Sequence, residues 1–199
     1  MASPIGHALA GIAVAWGADL VSGNRTWRTA PPSASWYRRA GNGLTLACAV
    51  LAATPDLDLF FGRFHRTATH SVTAVVVVAV IAALAAARAG RPVARISCMC
   101  AGAWATHLVL DWLSADHSIP RGFQLLWPFD GTWFISGWNV FEGSERRRLL
   151  SAATMRQNGV AIAQELVLLL PVVLGLWLAR AKTLDGRSTA GPPPIQKKM

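Results

Sequence analysis

Charged residues and cysteines are both scarce in this chain. Only 15% of its 199 residues are charged, whereas 53% are hydrophobic, and the mean hydropathy is +0.36. Soluble globular domains usually contain about 25% charged residues, so the composition argues against an ordinary soluble domain. The three cysteines all lie in apolar stretches, which indicates small packing residues rather than a disulfide framework or a zinc knuckle; they are Cys48, Cys98 and Cys100.

Two long segments contain almost no charge. Residues 71–87 carry none, and residues 160–179 carry only Glu165, for which a packing role is favoured. Runs of about 17 to 25 apolar residues are long enough to cross a bilayer. The first residues lack the basic region and cleavage site of a secretory signal peptide. We therefore predict an integral, multi-pass membrane protein whose amino-terminal segment stays in the mature chain.

The positive charge is large but segregated. The net charge is +9, which raises the possibility of nucleic-acid binding. The basic residues, however, lie in connectors between apolar segments, where they are better explained by membrane orientation. These connectors contain Arg25, Arg28, Arg38 and Arg39; Arg88, Arg91 and Arg95; and Arg180, Lys182, Arg187, Lys197 and Lys198. We expect no nucleic-acid partner.

The apolar periodicity predicts an all-α fold, a polytopic membrane helical bundle with about five helices. They cover residues 4–20, 43–53, 71–89, 96–113 and 160–179, with Ser71 as the amino-terminal cap of the third. The second is only half a membrane thick, so it is either a short span or a re-entrant segment. A membrane-embedded domain is expected over residues 1–180, and a disordered basic tail over residues 181–199.

A short aspartate/histidine loop separates the second and third helices. The run TPDLDLFFGRFHRTATHS, residues 54–71, contains Asp56, Asp58, His65 and His70, and carboxylates with imidazoles suit divalent metals. Pro55 favours extended backbone at the preceding residue, so we expect irregular backbone here. Each donor also has a simpler explanation, since the aspartates could cap a turn and His65 could be a solvated residue.

The fourth helix contains the pair His107 and Asp111. Residues four apart share one face of a helix, so the two side chains can bind one ion, or the carboxylate can orient the imidazole ring. An ionisable pair in an apolar helix is expensive and is functional by default. A polar clasp between helices is the alternative.

The arginine and lysine distribution also predicts an orientation. With an outside amino terminus and five spans, the basic connectors and the tail lie in the cytoplasm. The Arg146–Arg148 run is then left outside and fits poorly. This topology brings the donors to one face, on the outer side of the membrane; they are His7, Asp56, Asp58, His65, His70, His107 and Asp111. We expect a shared metal site there.

Several short motifs resemble a known family. GHALAG from Gly6, PDLD from Pro55, HRTATHS from His65, THLVLD from Thr106 and LLWPF ending at Phe129 resemble, in order, motifs of the YdjM/YbcI family of predicted inner-membrane metal-dependent hydrolases. Thr67 stands where the family pattern has glycine, and the segment after Asp111 is longer than expected. That segment adds His117, a possible further ligand.

The resemblance implies specific chemistry, because that family is distantly similar to zinc-dependent phospholipases C. By this analogy His7, Asp56, His70, His107 and Asp111 are metal ligands, with His65 as a weaker candidate, and zinc is the expected ion. Asp58 would be a ligand or a general base, and Arg66 would bind a phosphate oxygen. The expected activity is hydrolysis of a phosphoester in a membrane lipid or lipid-linked substrate. The alternatives are a non-catalytic scaffold with a structural metal and a metal or proton transporter.

Overall fold

The computed structural model describes residues 1–21, 41–145 and 150–188. These residues form five α-helices, which we number along the chain, and contain no strand, only isolated β-bridges. The all-α prediction is confirmed. The helices are α1 Pro4–Leu20, α2 Gly43–Ala53, α3 Val72–Arg88, α4 Val93–Leu113 and α5 Ala152–Ser188.

The predicted start of α3 is confirmed, whereas α5 extends beyond its predicted bounds at both ends. Ser71 caps α3 as predicted, since its hydroxyl accepts from the Ala74 N–H at 3.1 Å. The last helix is longer than its apolar run, because Ser151 caps it and accepts from the Thr154 N–H at 3.2 Å. It reaches Ser188, past the predicted domain boundary at residue 180.

Three sequence predictions lie outside the described residues. They concern the basic connector with Arg25 and Arg39, the Arg146–Arg148 run, and the tail beyond residue 188.

The aspartate-bearing segment is regular, which corrects the prediction of irregular backbone. Residues Thr54–Phe64 form a 3-10 helix, and Thr54 is helical, with φ −63° and ψ −36°, rather than extended. Its hydroxyl donates to the Val50 carbonyl at 2.8 Å and its N–H bonds the same oxygen. Because of these bonds, α2 continues into the 3-10 helix without a break. They outweigh the preference for extended backbone that Pro55 gives to Thr54.

Within the described residues, three helical segments are long and apolar enough to cross a membrane, and they are Gly43–Phe60, Val93–Leu113 and Ala152–Lys182. The first joins α2 to the 3-10 helix, so the short second helix gains the length it lacked. Helix α3 is a shorter apolar helix with exposed Val76, Val80 and Leu84. The chain is therefore a membrane protein, and the five-span topology remains a prediction.

Helix α1 packs against α2, α4 and α5, and α3 packs against α4. The α1–α2 contact is close because Gly11 has no side chain. A Cβ at that position would lie 2.3 Å from the Cys48 carbonyl oxygen. The adjoining core consists mostly of small residues, and it contains Ala15, Cys48, Ala52, Met99 and Ala103.

A buried ionic cluster joins the carboxyl end of α1 to two other helices. Asp19 accepts from Arg95 of α4 at 2.5 Å and from Arg180 of α5 at 2.7 Å. Its carboxylate is 7% exposed. Ion pairs thus fix the carboxyl end of α1. The amino-terminal end, which carries His7, must be positioned by other contacts.

Candidate metal centre

Four donors from three elements meet inside the bundle. Asp56 comes from the 3-10 helix, His70 from the short 3-10 turn Ala68–His70 before α3, and His107 and Asp111 from α4. One ligand atom from each lies within 4.8 Å of all the others, and all four residues are buried. The structure therefore places the loop aspartate and histidine against the helix pair, as the sequence predicted for a shared site.

The distances suit a shared ion. The Nε2 atoms of His70 and His107 are 3.0 Å apart, and they lie 3.5 and 3.2 Å from Asp111 Oδ2. Both are 3.7 Å from Asp56 Oδ1. Ligand atoms bound to one zinc at about 2.0–2.1 Å in a tetrahedron stand roughly 3.3 Å apart. Small shifts would complete such a shell.

His7 approaches the same two carboxylates from the other side. Its Nε2 is 3.4 Å from Asp111 Oδ1 and 3.9 Å from Asp56 Oδ2, the oxygens that do not face His70 and His107. Its ring stacks on His107 with centroids 3.7 Å apart. Among the described residues, neither His7 ring nitrogen nor Asp111 Oδ2 has a hydrogen-bond partner. Buried polar atoms without partners are costly, and a bound cation would satisfy them.

Three contacts orient the rings of His107 and His70 so that Nε2 of each faces the cluster. His107 Nδ1 lies 2.8 Å from the Ala52 carbonyl, which can only accept, so Nδ1 carries the proton. His70 Nδ1 lies 3.1 Å from Asp58 Oδ2 and 3.0 Å from the Thr69 hydroxyl. Metal-bound histidines usually donate their second ring N–H to such partners. Asp58 thus lies behind His70, on the opposite side of its ring from the ligand cluster.

His70 is expected to carry a proton when no ion is present. Burial lowers the pKa of His70, but the neighbouring carboxylates of Asp111, Asp56 and Asp58 outweigh it and raise this pKa to about 10. A positive charge is therefore favoured among these carboxylates. A divalent cation would supply that charge in place of the proton.

A family comparison matches nearly the whole chain. The model of the YdjM inner membrane protein family aligns with residues 1–183. The chain belongs to the YdjM family. No curated protein and no solved structure matches it. The family assignment confirms the resemblance to the YdjM family and, with the apolar helices, supports an inner-membrane location.

In this YdjM family member, Glu165 positions the amino-terminal end of α1. The buried Glu165 carboxylate of α5 accepts from the Ser3 N–H at 2.6 Å and from the Ser3 hydroxyl. A Cβ at Gly6 would lie 2.5 Å from Glu165 Oε2, so glycine allows this contact next to His7. Sequence reasoning favoured a packing role for Glu165. The one available signal was a lone carboxylate in an apolar helix.

The remaining candidates of this family member lie outside the ligand cluster. His65 Nδ1 is 2.5 Å from Asp58 Oδ1, so His65 contacts the residue behind His70. Arg66 lies in the left-handed region with φ 64°, and its N–H donates to Asp58 Oδ2 at 3.0 Å. Its guanidinium donates to Asp116 at 2.6 Å. The loop thus holds Asp58 by backbone and side-chain contacts.

A cavity of about 420 Å³, called the polar cavity here because charged side chains lie in its wall, is lined in part by His65. Its lining includes His65, Arg66, Asp116, His117, Ser118 and Glu145. Burial raises the pKa of Asp116, but hydrogen bonds from Ser118 and Gly122 and the charge of Arg66 lower it overall. The structure therefore places His117 in this cavity wall, and the Arg66 charge is paired with an anionic Asp116.

Proposed function

We propose that this protein is a membrane-bound metal-dependent hydrolase that acts on a phosphoester of a lipid or lipid-linked substrate. The main support is the buried donor set, in which two carboxylates and three imidazoles meet and the His7 nitrogens have no hydrogen-bond partner among the described residues. A polar contact that only joins two helices would not require so many potential metal-ligand atoms close to one another.

The residues fit a divalent cation, and zinc is the expected ion. Asp56, His70, His107 and Asp111 would hold it, since nitrogen and carboxylate oxygen are its usual protein ligands. His7, with the second oxygens of Asp56 and Asp111, suits a further ion. When bound, such an ion lowers the pKa of its water to about 7 and stabilises charge that develops on a phosphoryl oxygen.

The chain's own groups would orient the ligands and bind the substrate. Asp58 fixes the His70 ring through Nδ1 and, through His65, reaches the polar cavity. Arg66 lines the same cavity and carries five N–H donors, so it can bind a phosphate oxygen while it keeps Asp116.

We also propose that the site faces the outer side of a five-span protein. The support is the distribution of arginine and lysine along the chain. Cysteine-accessibility labelling of intact and permeabilised spheroplasts tests this orientation. In a variant whose native Cys48, Cys98 and Cys100 are replaced by serine, a cysteine placed at the exposed Trp138 of the Leu113–Ala152 connector should react with an impermeant maleimide in intact spheroplasts. Reaction only after permeabilisation would place this connector inside.

Metal analysis combined with turnover tests the function. Detergent-purified protein is expected to contain zinc and to hydrolyse phosphodiester probes faster than carboxylester probes. Asp111→Ala should lose both metal and turnover, whereas His117→Ala, in the cavity wall, should keep the metal. Bound metal without turnover of any probe would support the scaffold with a structural ion instead. Absence of metal in the wild-type protein would overturn the proposal.

A further inference from the structure

An apolar groove of about 640 Å³ lies against α3, beside the segment that carries His70. Pockets of 300–1,000 Å³ are typical of small-molecule sites. Helices α3 and α4 form most of its wall, including Ala74, Val77, Val78, Ile81, Ala82 and Trp104. Trp127, from the connector after α4, closes another part.

The polar groups along this groove bind partners within the protein. The Thr73 hydroxyl donates to the Trp127 carbonyl at 2.7 Å, and the Trp104 indole N–H donates to the Thr69 carbonyl at 2.9 Å. The Thr69 hydroxyl donates to Asp58 at 2.5 Å. Because these groups are already used, the groove offers its occupant mainly hydrocarbon contacts.

The surroundings of the groove favour a lipid chain as this occupant. Val77 and Ile81 are half or more exposed, and α4 is one of the candidate spans. In a bilayer, this open surface meets lipid tails rather than water. A hydrocarbon chain can therefore enter the groove directly from the membrane.

The segment from His65 to His70 connects the groove with the chemistry. Ala68 and Thr69 line the apolar groove, and His65 and Arg66 line the polar cavity. His70, at the end of the same segment, belongs to the ligand cluster. An apolar and a polar compartment thus meet at one short stretch of backbone that also supplies a metal ligand.

The geometry points to an amphiphilic substrate that divides between the two compartments. One hydrocarbon chain of a membrane lipid occupies the groove, and its phosphate-bearing headgroup occupies the polar cavity near Arg66. This inference rests on the proposed hydrolase function, and it names the substrate class as a phospholipid bound by one of its chains from within the bilayer.

Photo-crosslinking tests the groove without needing turnover. The full-length protein is reconstituted into vesicles of phosphatidylethanolamine and phosphatidylglycerol that contain a phospholipid with a chain diazirine, and adducts are mapped by mass spectrometry. Adducts should concentrate on Val77, Val78 and Ile81. Ala82→Phe and Ala74→Phe fill the groove, and each should reduce these adducts about tenfold, as expected when two methylenes lose their contacts.

The matched control is Val80→Phe, on the same helix, 52% exposed and outside the groove lining. It should leave the adducts unchanged. Ala82→Phe should also slow hydrolysis of long-chain substrates more than of a water-soluble phosphodiester, with metal content unchanged. Adducts spread evenly over α3 and α5, or equal effects of Ala82→Phe and Val80→Phe, would overturn the groove. Groove labelling with no hydrolysis of any probe would overturn the hydrolase function alone.

Discussion

Asp58 Oδ2 lies 3.1 Å from His70 Nδ1, while Nε2 of the same ring lies 3.5 Å from Asp111 Oδ2. The imidazole thus connects a carboxylate behind it with the ligand cluster in front. Such a partner fixes the orientation of the ring and increases its basicity. Asp58 is therefore placed to support a ligand, although its spacing in PDLD suggested a ligand or a general base.

Asp58→Asn should weaken metal binding about 10- to 100-fold, because the amide cannot replace the charge behind His70. Competition with a chelating dye measures this affinity. Stoichiometry at saturating metal should stay that of the wild type, whereas loss of a direct ligand would lower it. Asp116→Asn, an aspartate of the polar cavity, is the control and should keep wild-type affinity. Equal affinities of the wild type and Asp58→Asn would contradict this role.

His7→Ala should halve the metal content if two ions are bound, because His7 faces the second oxygens of Asp56 and Asp111. His107→Ala, in contrast, should remove both ions, since His107 is one of the four buried donors expected to bind the first ion. Elemental analysis of detergent-purified variants measures the ratio. An unchanged metal content in His7→Ala would exclude His7 as a ligand.

Glu165→Ala should reproduce the metal loss of His7→Ala. Without Glu165, the buried Ser3 N–H and hydroxyl lose their acceptor, and the end of α1 that carries His7 is released. Its neighbour Gln164, which accepts from the Glu142 N–H on the surface, provides the control Gln164→Ala. If Glu165→Ala retained full metal content, the carboxylate would not be needed to position His7.

Metal affinity should rise with pH. The pKa of His70 is raised to about 10 in the metal-free site, so the ring keeps its proton from about pH 7 to about pH 9 and an ion must displace it. One displaced proton gives about tenfold higher affinity per pH unit in this window. Titrations in buffers with different ionisation enthalpies count the protons released. Constant affinity from about pH 7 to 9 would contradict the prediction.

The same proton stabilises the metal-free fold. Because the folded-state pKa of His70 is the higher one, this contribution is complete below about pH 6.5 and disappears as the pH rises through about 10.

Gly11→Ala should destabilise the bundle by about 1–3 kcal/mol, because the new Cβ meets the Cys48 carbonyl oxygen and backbone atoms cannot rotate away. Gly17→Ala, on the same helix with nothing within 4 Å of the new Cβ, should be neutral or stabilising by up to about 1 kcal/mol. Thermal unfolding in detergent measures both. A lower melting temperature for Gly17→Ala than for Gly11→Ala would contradict the close α1–α2 contact.

Local sequence patterns predicted the features that depend only on neighbouring residues. The i, i+4 spacing of His107 and Asp111, the Ser71 cap and the apolar runs all follow from local rules. The positions of Asp58 and Glu165 do not. Asp58 lies behind His70 because the 3-10 helix turns it there, and Glu165 contacts Ser3 across 162 positions of sequence. Long-range packing determines the positions of both Asp58 and Glu165, and local sequence periodicity carries no information about such packing.

The wide spacing of the ligands along the chain also determines when the centre can form. His7 leaves the ribosome long before His107 and Asp111, and Glu165, which secures the start of α1, is made later still. A nascent protein therefore has no complete cage until its fourth helix is inserted. If the centre holds an ion, the ion would bind late in biogenesis, and truncated products that end before α4 would lack the complete donor set.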